Sequence, residues 1–253
     1  MLKATVRCVA PGLRLAAGLL VITGSLLAGC APLSHDEARL TQRHWRDAAD
    51  WDSAMAREEA DFLRQPEARA RRDAAGLHLR LANDGWVTLA EDRDCRRQDA
   101  ARDVLRDCLR KHAIGRFAGR GYWLLAVTLQ EGQAYALVNE RDGRETLLIG
   151  PPYFSPDGRH LAAVNSSLRG DTVNGVEVWR LEADAPVLVF FHEEKGGSGY
   201  DFTEWTSPDT ARLTYRGCID QFDLACQTSR ERGPREAVLT GRGGKWRLAP
   251  WTR

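Results

Sequence analysis

His192-Glu193-Glu194, with Asp201 and Glu204 close behind, is the most tempting grouping of acid, base and ligand side chains in the chain. A histidine beside carboxylates can move protons or hold a metal ion. Successive strand residues point to opposite faces, however, so Glu193 and Glu194 cannot act together while a strand continues. The grouping reads as a solvated strand end. His35, His44, His78, His112 and His160 share no ligand spacing, so neither a metal nor an organic cofactor is expected. Gly196-Gly197-Ser198-Gly199-Tyr200 falls one glycine short of a nucleophile elbow and has no helical pattern behind it, so it reads as a flexible loop. The sequence carries no H-E-x-x-H, no G-x-S-x-G and no P-loop.

The amino terminus carries a different kind of chemistry. Lys3, Arg7 and Arg14 precede an uncharged run from Leu15 to Leu27, and Leu27-Ala28-Gly29-Cys30 follows. A basic start, an apolar stretch of ~13 residues and small residues before a cleavage point are the parts of a secretory signal peptide. The uncharged run continues to Ser34, near the ~20 residues of a membrane span, but the apolar stretch has signal-peptide length. Leu27-Ala28-Gly29-Cys30 resembles the bacterial lipobox. That resemblance implies cleavage before Cys30, a thioether-linked diacylglycerol on its sulfur and an acyl chain on the new amino group. With two or more chains the anchor is effectively permanent. Ala31 follows where an aspartate would imply retention at the inner membrane, so the resemblance implies the periplasmic side of the outer membrane.

Removing residues 1–29 from 253 leaves 224, enough for a large core. Three of the 36 basic residues leave with the leader, so 33 face 35 acidic ones and the formal charge becomes −2. That balance gives no electrostatic reason to expect nucleic acid. Cys95, Cys108, Cys218 and Cys226 remain in an oxidising compartment, where an even number points to disulfides. A local bridge between Cys218 and Cys226 would close a short loop. Cys95 and Cys108 form the residual pair, provided that a helix carrying Ala101, Val104, Leu105, Cys108 and Leu109 begins near Asp99.

The elements follow from periodicity. Ser34 opens a capping box with Glu37, and Leu40, Trp45, Ala48, Trp51, Met55, Phe62 and Leu63 recur at helical spacing, which predicts a helix over about 35–64. Pro66 stops it, and a second short helix is expected through the Arg-rich run to Asp73. The charged residues of this region read as a solvated face with i,i+4 pairs. From Leu77 the period becomes two, with a hairpin about Ala82-Asn83-Asp84-Gly85, an inserted helix over 99–113, and then nine strand-like runs. About twelve strands are expected in all. The aromatics of these runs, Tyr122, Trp123, Phe154, Trp179, Tyr200, Trp205 and Trp246 among them, read as filling between sheets rather than as a binding groove.

Within this region "YFSPDGRHLAAV" returns in weakened form as "EWTSPDTARLTY". Ser155, Pro156, Asp157 and Gly158 have the chemistry of a turn: a proline-fixed φ, two side chains that bond nearby backbone, and a glycine for the left-handed step. With "GVEVWRLEADAPVLVF" after it, the segment from about 120 to 216 resembles the β-propeller repeats of the TolB type. The alternating runs give a mainly β, antiparallel meander, and the resemblance makes it propeller-like. About twelve strands fall short of four blades of four, so an incomplete propeller is expected, with the N-terminal helix and one inserted helix covering an edge. The expected organisation is a signal peptide over 1–29, a lipid-anchored helical segment over 30–76 and the β domain over 77–253. The expected function is that of a non-enzymatic lipoprotein offering a surface to another envelope protein. A hydrolase of cell-wall or outer-membrane material is the alternative, and it requires His192, Glu193, Glu194, Asp201 or Glu204 to converge.

Overall fold

The computed structural model describes residues 51–89, 91, 110–129, 132–166, 173–182, 185–194, 198–217 and 234–250. Cys30, Cys95, Cys108, Cys218 and Cys226 lie outside them, as do residues 1–29 of the expected leader, residues 35–50 of the expected helix and residues 99–109 of the expected inserted one. No helix among the described residues is long and apolar enough to cross a membrane.

Helix α1 (Trp51–Leu63) comes first, followed by a 3₁₀ turn at Pro66–Ala68. Among the described residues fifteen strands, more than the twelve or so expected, then form four antiparallel sheets, each an up-and-down run of neighbours. The first sheet holds β1 (Ala70–Asp73), β2 (Gly76–Arg80) and β3 (Trp86–Leu89). The second holds β4 (Arg110–Phe117), β5 (Tyr122–Leu129), β6 (Gly132–Asn139) and β7 (Glu145–Leu148). The third holds β8 (Pro152–Phe154), β9 (His160–Asn165), β10 (Gly175–Leu181) and β11 (Pro186–Glu193). The fourth holds β12 (Gly199–Ser207), β13 (Thr210–Arg216), β14 (Pro234–Arg242) and β15 (Lys245–Pro250). The fold is mainly β.

Three expectations are corrected. Residues 110–113, assigned to the inserted helix, begin β4, where Ala113 and Ile114 are both buried because each face of the sheet is covered. The second short helix to Asp73 is β1, paired with β2 in the register Arg71↔His78, so strand pairing begins ahead of the boundary expected at 77. Gly199 and Tyr200 open β12 and do not belong to a loop. The hairpin between β2 and β3 forms as expected, but its left-handed residue is Asp84 (φ 64°).

Sheets stack in chain order through three cores. Trp123, Leu125 and Val127 of β5 pack with Leu77, Leu79 and Leu89 of the first sheet, while Leu124 and Ala126 on the other face pack with Leu161 and Ala163 of the third. Ala162, Val164, Val176 and Val178 turn the opposite way, onto Tyr200, Leu213, Leu239 and Trp246 of the fourth. Burial on both faces explains why "YWLLAV" and "HLAAV" are nearly continuous apolar runs. Among the described residues no core joins the fourth sheet to the first.

Helix α1 buries Trp51, Met55, Glu59 and Phe62, one stripe at helical spacing. It lies along β4, an edge strand whose outward backbone groups need partners. Glu59 accepts from the Ala113 N–H at 3.0 Å, Glu91 accepts from the Lys111 N–H at 3.2 Å, and Arg72 donates to the Lys111 carbonyl. The edge is thereby closed to pairing with another chain.

Candidate functional site

The repeated turn is occupied with its own geometry. The Ser155 hydroxyl donates to Asp157 Oδ1 at 2.7 Å and accepts from the His160 N–H at 3.0 Å; the Gly158 N–H donates to the Ser155 carbonyl at 2.8 Å. Gly158 takes φ 68°, and a Cβ there would strike the Arg120 guanidinium, which lies over the Phe154 ring. In the weaker copy Ser207 still donates to Asp209 at 2.6 Å, and that bond holds the Asp209 carboxyl below its usual range. The residue two before each serine matters as much. Tyr153 packs against the third core, and Trp205 donates from Nε1 to the Tyr153 carbonyl at 3.0 Å, so equivalent positions of the two copies join the third sheet to the fourth.

The His192 grouping separates. His192 and Glu194 share a face, with His192 Nε2 2.9 Å from Glu194 Oε1, and Tyr200 donates to the same oxygen at 2.6 Å. The Ser198 hydroxyl reaches Glu194 Oε2 at 3.4 Å. Burial, and then the bond to Glu194, push the Tyr200 phenol far up, so it stays a hydrogen-bond donor and not a base. Glu193 pairs in register with Gly175 while His192 pairs with Val176, which places the two on opposite faces. Asp201 forms an ion pair with Arg216 and accepts from Ser166 at 2.8 Å, whereas Glu204 pairs with Arg212 at 2.8 Å. The five residues therefore do not converge. A carboxylate orients one imidazole, and the other acids are engaged elsewhere.

A second cluster corrects the expectation of a solvated face with i,i+4 pairs along α1 and the Arg-rich run: Glu59 is buried, and its charged partners, Arg72 and His112, come from strands. Arg72 binds Glu59 through both carboxylate oxygens, Nε to Oε2 at 2.7 Å and Nη2 to Oε1 at 2.8 Å, and reaches Glu91 at 2.6 Å. His112 of β4 lies between two carboxylates of α1, with Nε2 3.1 Å from Asp52 Oδ1 and Nδ1 3.5 Å from Glu59 Oε2. Burial opposes the charge on all three groups. Hydrogen bonds among them and from Arg72, Arg110 and the Ala113 N–H outweigh it, so Asp52 and Glu59 are held below the usual carboxylate range and His112 above the usual histidine range. The sequence offered one signal: Glu59 falls on the apolar stripe of Trp51, Met55 and Phe62, where a solvated glutamate does not belong.

This arrangement makes the helix joint pH-dependent. A histidine raised in the folded state contributes fully below its ordinary value of 6.5 and loses its contribution as pH climbs through the folded value. Asp52 and Glu59 run the other way, contributing above their ordinary values of 3.8 and 4.5 and fading as pH falls through their lowered folded values. Urea midpoints measured for the wild type and His112→Gln are expected to differ most between about pH 5 and 6, and the gap is expected to narrow toward about pH 9. An equal gap at both ends of that range is the result that rules out the charged His112.

Glu177 is another buried acid. It accepts from Trp179 Nε1 at 3.0 Å and the Ile149 N–H at 3.2 Å, and burial pushes its carboxyl up despite both bonds. It helps to hold the loop between the second and third sheets. Among the described residues no three His, Cys, Asp or Glu side chains form a group that could hold a metal ion. The chain matches no family model, no curated protein and no solved structure.

Proposed function

We propose that this chain is a non-enzymatic lipoprotein of the outer membrane, facing the periplasm, whose stacked sheets form an incomplete, propeller-like body that presents a surface to another envelope protein. The observation that carries it is the joint between α1 and β4. A chain tethered at Cys30 reaches its first described element at Trp51, and that element is clamped to the sheets by buried charge and by two stripe residues, Trp51 and Met55, in the core. Such a joint transmits position from an anchor to a body. The propeller-like reading rests on four successive up-and-down sheets that share cores with their neighbours. An incomplete ring is supported by the two outermost faces, where Arg71, Arg80 and Thr88 of the first sheet and Glu236 and Arg247 of the fourth are exposed. Two charged, solvated faces would lose hydration on closing against each other.

The hydrolase alternative draws support from the His192–Glu194 pair, in which a carboxylate orients an imidazole as in many general bases. Beside that pair the Tyr200 phenol stays protonated and is no nucleophile, while the Ser198 hydroxyl is engaged with Glu194 Oε2 at 3.4 Å. The test of the main reading is metabolic labelling with a fatty-acid probe. Incorporation into the wild type and its loss in Cys30→Ala are expected, with crosslinking in intact envelopes capturing a partner set that thins when the anchor is removed. A mature protein with a free Cys30 thiol, or with residues 1–29 still attached, overturns it.

A further inference from the structure

The outer strands of the four sheets are not alike. β3 and β7 are four residues each, and β15 carries Lys245, Arg247 and Pro250, all devices that blunt a sheet edge. β11 has eight residues, and Val187 to Phe191 is an uncharged β-branched, aliphatic and aromatic run. Val187, Leu188 and Phe191 are 38, 44 and 48% exposed. Among the described residues, β11 pairs with β10 and ends its sheet.

The order of faces along β11 identifies its partner. Leu188 lies opposite Trp179, and Phe191 opposite Glu177, so both share the face turned toward the second sheet, on which Trp179 packs. Phe190 lies opposite Val178, and both Val189 and Phe190 pack into the core with the fourth sheet. The register shift opposite Val178 and Trp179 puts these two consecutive residues on one side. Read from either end, the strand then presents the same sequence of faces about a point between Val189 and Phe190. A regular strand of even length cannot do this, because its alternation gives the two ends opposite faces. We infer that β11 is the pairing edge for a second copy of this chain, antiparallel about a two-fold axis between Val189 and Phe190, with Leu188 of each copy opposite Phe191 of the other.

In this register every cross-strand pair meets on a common face: Pro186 with Glu193, Val187 with His192, Leu188 with Phe191, Val189 with Phe190. The exposed Leu188 and Phe191 of both copies form one apolar cluster, which is the pairing unit that stabilises antiparallel strands. The interface is isologous and closes on itself, so it stops at two copies. It does not depend on acylation of Cys30.

All three cores lie within residues 51–250, so the chain from residue 30 onward with Cys30→Ala serves for the test in solution. Sedimentation velocity is expected to show a concentration-dependent monomer–dimer equilibrium. Leu188→Lys and Phe191→Glu, both at exposed positions, each weaken it about tenfold or more while circular dichroism and the urea midpoint stay unchanged. Mixing the two variants restores the dimer, because the introduced lysine of one copy then faces the introduced glutamate of the other, and the second pair remains Leu188 with Phe191. A monomer at about 100 µM, where a dimer of Kd ~10 µM or tighter holds roughly four-fifths or more of the chains, overturns the inference. So do open-ended aggregates, a dimer indifferent to Leu188→Lys, or a mixture no tighter than its components.

Discussion

Glu59→Ala is expected to lower the unfolding free energy by about 3–5 kcal/mol, because it removes a buried carboxylate and strips a partly buried cation of its bidentate partner. Glu59 is 5% exposed and meets Arg72, His112 and the Ala113 N–H, so the substitution orphans a backbone donor on the β4 edge as well as unbalancing two cations. Arg72 retains Glu91 and the Lys111 carbonyl, which keeps the loss from running higher. Arg57→Ala, on the exposed side of the same helix, is expected to stay within about 0.5 kcal/mol. Urea denaturation of the two single variants, Glu59→Ala and Arg72→Ala, and of the double variant Glu59→Ala/Arg72→Ala measures the coupling directly. If Glu59→Ala costs no more than Arg57→Ala, the helix is not clamped through this carboxylate and the rigid joint behind the proposed function falls with it.

Trp123→Ala gives the second large effect, about 3–5 kcal/mol, by opening a cavity in the centre of the second sheet. The Trp123 side chain is fully buried in β5, packs between the first and second sheets and donates from Nε1 to the Ala68 carbonyl at 3.3 Å, which fixes the turn that leads from α1 into β1. Trp86→Ala removes the same side chain from β3, where it is 46% exposed under the Arg71 guanidinium, and is expected to cost less than about 1 kcal/mol. Equal losses at the two tryptophans would mean that the first sheet does not pack on β5.

The elements that were legible in the chain share a property: their pattern is complete within a few residues. β5, β9 and β10 span the runs "YWLLAVTL", "HLAAVN" and "GVEVWRL" because unbroken apolar or alternating runs between turn residues leave little else to form. The Ser155–Gly158 turn was legible for the same reason, Ser155 and Asp157 each accepting from a backbone N–H within five positions. β4 and β12 were not. β4 has a register shift between Ala113 and Gly115, and β12 has two, so alternation is broken in both. "ARRD" has no apolar residue larger than alanine, and it is a strand because β2 pairs with it.

The candidate sites divide along the same line. Sequence alone separated Glu193 from Glu194, since strand geometry is local, and the order of charge, apolar length and small residues ahead of Cys30 is what the proposed anchor rests on. Tertiary structure decided where charge could be buried. Glu59 and Ala113 stand 54 residues apart, and Asp52 and His112 stand 60 apart. A glutamate, an arginine and a histidine in one sequence look like solvent-facing residues until a helix laid along an exposed edge brings them within 3.5 Å, where desolvation forces them to satisfy one another. The palindrome of β11 has the same origin. Eight letters specify a strand, but the bulge that turns Val189 and Phe190 to one side exists only through pairing with β10.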